Sequence, residues 1–174
     1  MVSHIAGAVV HNRSVLSDSS YRYTITLQGK DSHTGTTALT SRSDALLAAS
    51  RMIIAAREVA HAKGGLATMG IIVASPGSTN TIPGHVRFSL DVRAKSDALR
   101  DDICDELMRQ FDKIAVADKS YAVDTTGMPE AFPDKLVDWS VRVDSTSTAV
   151  RFDEDCIECV RAGAEDPRSP GGAD

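Results

Sequence analysis

A chain of 174 residues, 42% of them apolar, suffices for one domain of ordinary size with a single core and is short for two. A formal charge of −5, interspersed signs and only 5% aromatic residues give no basic stripe to neutralise phosphates, which argues against nucleic acid as a partner. No apolar run approaches the roughly 20 residues that span a bilayer, and the N-terminus lacks a basic-then-apolar leader pattern, so the expectation is a soluble, cytoplasmic protein without a membrane partner.

Residues 1–20 are expected to form an N-terminal connector. From there Tyr21, Tyr23, Ile25 and Leu27 alternate with Arg22, Thr24, Thr26 and Gln28, the period of a strand with one buried and one open face. A helix is predicted after Ser43 as its cap, with Leu46, Ala49, Ile53, Ala56 and Ala60 on its apolar face and Gly64-Gly65 as its stop. Leu66 to Val73 is more continuously apolar, with Gly70 inside it, and reads as a second strand whose composition suits burial on both faces at a subunit contact. In the third strand Val86, Phe88, Leu90 and Val92 alternate with His85, Arg87, Ser89, Asp91 and Arg93.

A second helix follows Ser96 and lines up Leu99, Ile103, Leu107, Phe111 and Ile114. Residues 116–135 are aperiodic, carry Gly127, Pro129 and Pro133, and read as a surface insertion. Val137, Trp139, Val141 and Val143 then alternate with Asp138, Ser140, Arg142 and Asp144 in a fourth strand. A short helix capped by Asp153 is expected within 149–165, and the breaker-rich 166–174 as a disordered tail. The order β-α-β-β-α-β predicts an α+β two-layer sandwich over 21–148, a four-stranded antiparallel sheet with two helices on one face, ferredoxin-like in topology.

Three stretches concentrate polar chemistry. His33 falls where the first strand ends, in Ser32-His33-Thr34-Gly35-Thr36-Thr37, and an imidazole N–H held near a scissile carbonyl stabilises the oxyanion that develops there. Alone, a loop histidine is more often simply solvated. Asn80 sits in Ser78-Thr79-Asn80-Thr81-Ile82-Pro83-Gly84, where asparagine equally serves the turn itself. Arg93 ends the third strand on its polar face, where a guanidinium either grips a carboxylate through two parallel hydrogen bonds or pairs with Asp91. Gln28 is a further candidate on the polar face. Together these residues suggest a shared site for an anionic ligand.

Other clusters carry less. His85 and Arg87 read as a solvated sheet face, and His4, His11 and His61 have no partner pattern. Asp101, Asp102, Asp105 and Glu106 fit a solvated helix face better than a metal site. Cys104, Cys156 and Cys159 are too few for a disulfide framework and suit a reducing compartment. Cys156 and Cys159 read as two thiols on one helical turn, since no second Cys/His pair completes a zinc site.

In order and spacing, the His33, Asn80 and Asp91-Val92-Arg93 stretches resemble the lid (dimerisation) domain of the dinuclear-metal amidohydrolases of metallopeptidase family twenty, beside the aminoacylases. The likeness is to N-carbamoyl-amino-acid hydrolase, β-ureidopropionase and allantoate amidohydrolase. It runs from about Ile5 to Glu165, because Arg42-Ser43-Asp44-Ala45-Leu46, Val86 to Arg93 and Val150-Arg151-Phe152-Asp153 are similar too. The resemblance implies a homodimer whose interface uses Leu66, Thr68, Gly70, Ile72 and Ile53. It implies that His33 stabilises an oxyanion in the neighbouring subunit's active site, and that Arg93, with Asn80 and Gln28, holds a carboxylate-bearing small-molecule substrate. It also implies two divalent metal ions, zinc or manganese, held by a catalytic domain split around the lid. Those metal-ligand motifs are not in this chain, so it is expected to bind no metal and to be inactive in isolation. Residues 1–20 and 149–165 would then be junctions with that domain. The alternative is a stand-alone small-molecule-sensing or protein-interaction domain of the same topology.

Overall fold

Period-two alternation becomes a long central ladder. The computed structural model describes residues 16–115, 137–151, 153, 155, 157 and 158. Strands β1 (Leu16–Ser17), β2 (Ser19–Gln28) and β3 (Ser32–His33) precede helix α1 (Ala45–Lys63). Then come β4 (Leu66–Thr68), β5 (Ile72–Ser75), β6 (Thr81–Ile82), β7 (His85–Ala94), helix α2 (Asp97–Ala115), β8 (Asp138–Ser147) and β9 (Val150–Arg151). The main sheet is antiparallel, in the order β4-β7-β2-β8, with β5 also pairing β7. Both helices pack on one face of it, so the α+β sandwich is as expected.

β2 and β7 pair from Ser19 opposite Ala94 to Gln28 opposite His85. This places Tyr23, Ile25 and Leu27 beside Val86, Phe88, Leu90 and Val92 in one buried layer. Phe111 of α2 meets Phe88 and Trp139 edge-on, with ring centroids 6.5 and 5.6 Å apart, an arrangement aromatic quadrupoles favour. The first strand starts at Ser19, two residues ahead of the alternation that announced it, and β1 pairs with β9 beside it.

Five expectations need correction. The cap of α1 is Asp44, not Ser43: its carboxylate accepts from the Leu46 and Leu47 N–H groups, at 3.0 and 2.9 Å. The buried line of α1 is Ala45, Ala48, Ala49, Met52, Ala56 and Ala60, while Leu46 and Ile53 are half-buried flanks; small residues let the helix lie close on the sheet. On α2, Ile103, Leu107 and Phe111 are buried as expected, joined by Arg100, Cys104 and Ala115, whereas Leu99 and Ile114 are half-buried.

Leu66 to Val73 is not one strand but two, broken at Met69-Gly70-Ile71, where the Ser89 hydroxyl accepts the Ile71 N–H at 3.1 Å. Val137, just ahead of β8, is buried and Trp139 on it half-buried, but Val141 and Val143 are 43% and 57% exposed. They share the helix-side face with Ile25 and Tyr23, yet β8 is an edge strand among the described residues, and α2 touches it at Trp139 and Ser147 but leaves these two valines exposed.

Gly64, at φ +79°, ends α1 in the left-handed conformation that glycine adopts without strain. Lys63 pairs with Asp102 and ties the helices together. Arg100 is charged yet only 4% exposed. It donates to Asp97, Asp101 and the Ser147 carbonyl at 2.8–3.1 Å, and lies 3.9 Å from the centre of the Tyr21 ring. The Asp97 carboxylate also accepts the Ala149 N–H at 3.0 Å, so the start of α2 anchors the segment leading to β9.

Where a short helix capped by Asp153 is expected, the Asp153 carboxylate accepts the Asp155 N–H and its carbonyl the Ile157 N–H. The predicted insertion 116–135, the tail 166–174, His4, His11, Cys156 and Cys159 lie outside the described residues. Among the described residues no helix is long and apolar enough to cross a membrane.

Candidate functional site

Two loops meet beyond the Gln28/His85 end of the central ladder. The Gly29 N–H donates to the Gly84 carbonyl at 2.7 Å, and the Gly84 N–H donates to the Asp31 carboxylate at 2.6 Å. Gly84 is buried, and a Cβ there would lie 2.8 Å from the Lys30 carbonyl carbon, so only glycine permits this approach. The joined segments form a short ladder in which Ser32 faces Ile82 and His33 faces Thr81. Buried Ile82 pins it to the core, and the Ala45 N–H on the Pro83 carbonyl, at 3.1 Å, ties it to α1.

His33 and Asn80 are thereby brought together. The Thr34 N–H and hydroxyl both donate to the Asn80 carbonyl, at 3.1 and 3.2 Å. The Asn80 side-chain oxygen accepts from Ser78 at 2.7 Å and Thr81 at 3.4 Å, so its NH2 group is left to donate outward. His33 Nδ1 accepts the Gly35 N–H at 3.0 Å. An accepting Nδ1 places the neutral imidazole's proton on Nε2, which makes the outer edge of this exposed ring a hydrogen-bond donor. Turn chemistry and donor geometry therefore coexist at Asn80. Gln28 is exposed at the same end of the sheet.

Arg93 is not there. It lies at the opposite end of β7, facing Ser20 and Leu66, and the ten-residue strand is on the order of 30 Å long. Its guanidinium pairs with Asp91, Nη2 to Oδ2 at 3.0 Å, the bland partner foreseen for it. That hydrogen bond outweighs desolvation and holds the Arg93 pKa above its ordinary value. The residues expected to share one site therefore lie at opposite ends of the sheet within one chain.

Sequence reasoning gave Arg42 no role. It is half-buried and donates from Nη2 to the Thr34 carbonyl at 2.7 Å and from Nε to the Thr37 carbonyl at 3.1 Å, bracing the loop that carries His33. Its place eight residues beyond Thr34 held no signal of that reach.

A second feature is apolar. Between α1 and β4 lies an open groove of about 740 Å³, lined by Ile53, Ile54, Arg57, His61, Leu66 and Met69. Leu66 is 62% and Ile72 49% exposed, and Ile71, Val73 and Ile54 are exposed too. Thr68 and Gly70 are exposed on the same edge and Ile53 is half-buried, so this margin, unpaired among the described residues, gathers apolar side chains where a lone sheet would carry charge. Among the described residues no group of three or more His, Cys, Asp or Glu side chains converges as a metal ion requires.

Residues 18–119 match the profile of the peptidase dimerisation domain. The chain belongs to that family. Among curated relatives, the allantoate amidohydrolase of Bacillus subtilis is 42% identical over 74 residues, which are 41% of this chain and 18% of that protein. The N-carbamoyl-L-amino-acid amidohydrolase of Rhizobium meliloti is 34% identical over 119 residues, 65% of this chain and 28% of that protein.

Among solved structures, a hydantoinase/carbamoylase family amidase from Burkholderia multivorans superposes with a TM-score of 0.71 at 27% identity, covering 89% of this chain and 35% of that one. One from Burkholderia vietnamiensis gives 0.70 at 28%, covering 86% and 32%. The dimerisation domain described here thus spans about a third or less of the length of these relatives.

Proposed function

We propose that this domain is the lid and homodimerisation module of a metal-dependent hydrolase of C–N bonds, acting on an N-carbamoyl amino acid, a ureido acid such as a β-ureidopropionate, or a related amide. The reading rests on the family, on the names its relatives carry, and above all on the division of polar groups between the two ends of the sheet. His33 Nε2–H and the Asn80 amide are outward donors at one end, and Arg93 is a cation about 30 Å away. Neither half is a site by itself.

Self-association through the β4/β5 edge unites the halves. A twofold axis normal to the sheet reverses strand direction, so it sets the His33 end of one copy beside the Arg93 end of the other. In this arrangement His33 stabilises the oxyanion of a substrate whose carboxylate is held by Arg93 of the other copy, in competition with Asp91. Asn80 and Gln28 add hydrogen bonds at the His33 end.

The divalent ions implied by the family resemblance, zinc or manganese, do not fit the side chains described here. They belong in this proposal to a catalytic portion outside this chain, where such ions activate water. The chain alone is accordingly catalytically incomplete. A cytoplasmic setting, suggested by the sparse cysteines, completes the reading.

Purified chain supplied with zinc or manganese is expected to leave N-carbamoyl-β-alanine intact, and turnover would contradict the proposal. The role of His33 is tested by grafting this domain in place of the corresponding domain of the B. subtilis allantoate amidohydrolase. In an active graft, His33→Ala is expected to lower kcat about a hundredfold or more, whereas unchanged kcat would remove His33 from the chemistry.

A further inference from the structure

We infer that Arg42 is a positioning residue that sets the tautomer of His33 through the Thr34–Gly35 peptide group. The carbonyl of Thr34 and the N–H of Gly35 belong to one planar unit. Arg42 Nη2 donates to that carbonyl at 2.7 Å, and on the other side the unit's N–H donates to His33 Nδ1 at 3.0 Å. The order is guanidinium, peptide, imidazole. A cation on the carbonyl polarises the peptide and strengthens the N–H as a donor, as hydrogen bonds in series do. It also fixes the rotation of the peptide plane, which aims the N–H at Nδ1. The proton of the neutral ring is thereby directed to Nε2, on the outer edge.

The loop needs such a device because burial does not order it. Thr34, Gly35, Thr36 and Ala38 are all exposed. Thr37 N–H on the His33 carbonyl, at 3.2 Å, closes the turn, and Arg42 Nε grips the Thr37 carbonyl at 3.1 Å, so one planar fork holds both limbs. Arg42 is itself set on the sheet. Its neighbour Ser43 accepts the Lys30 N–H at 2.9 Å, and Gly29 presses so closely against the Ser43 carbonyl that no side chain fits between them. The inference deepens the role proposed for His33 and rests on it for its significance. Its readout needs no catalysis, however, so the graft and the experiment below fail independently.

The test is a long-range 1H–15N spectrum of the histidine rings in the whole 15N-labelled chain, under alkaline conditions where the rings are neutral, with His33 assigned by loss of its signals in His33→Gln. The wild type is expected to show the Nε2–H tautomer in strong excess. In Arg42→Ala the ratio of tautomers should fall about tenfold toward that of free histidine, and the Gly35 amide should exchange about tenfold faster, at unchanged helicity. A folded Arg42→Ala chain with the wild-type ratio and exchange rate overturns the inference. If Arg42→Ala does not fold, Arg42→Gln, neutral and too short to span both carbonyls, is judged by the same criteria. Loss of fold in both variants would make Arg42 a residue of the scaffold and also overturn the proposed relay.

Discussion

Gly84 carries more of the candidate site than its lack of a side chain suggests. Its approach to Asp31 and Lys30 is what joins the His33 loop to the Asn80 loop. Gly84→Ala should cost on the order of 1–3 kcal/mol by overpacking, read as a lowered urea midpoint, with the His33 and Asn80 amides perturbed together. A midpoint equal to wild type would show that the loops meet without this contact. At the other end of the molecule, Asp97 takes the Ala149 N–H, and that bond holds its pKa below the ordinary carboxylate value. A depressed folded pKa stabilises above the unfolded value, near 3.9, and that contribution disappears as pH falls through the folded pKa. Asp97→Asn should therefore narrow the stability gap between neutral and acid pH. An unchanged gap in denaturation curves would contradict the bond to Ala149. Sequence made His33 and Asn80 visible through the order of their motifs. Arg42 stayed hidden, since hydrogen bonds from a long side chain to backbone carbonyls leave no periodic trace.

At the scale of elements, alternation reports which face a residue takes but not what covers that face. β2 and β7 were legible along most of their length because both lie mid-sheet under the helices, where nearly every apolar position finds burial and Tyr21 is half-buried. The same pattern in β8 misled at Val141 and Val143, which point to the helix side but lie between the two points, Trp139 and Ser147, that α2 touches. The break in the edge strand was invisible for another reason: a serine side chain on the neighbouring strand takes the Ile71 N–H. At α1, Ser43 and Asp44 are adjacent residues able to cap, and only the backbone decides between them. Asp44→Ala should lower stability by about 1 kcal/mol, and Ser43→Ala far less. Equal losses in thermal unfolding would restore Ser43 as the cap.

For the whole molecule, the strand length of β7 already implied that Arg93 could not sit beside His33 in one chain, a consequence the motifs alone concealed. Candidate residues at opposite ends of a sheet, with an apolar edge unpaired among the described residues, are what the proposed dimer would bring together. Leu66 and Ile72 are both largely exposed, so Leu66→Lys with Ile72→Lys should spare the fold while burdening a paired edge with like charges. The most direct measurement is the solution mass of the chain by light scattering across a concentration series, beside that double variant. The account predicts a wild-type mass near twice the 18.5 kDa of one chain and a monomeric variant of undiminished helicity. A wild type that stays monomeric at every concentration, or a variant that still dimerises, would contradict it.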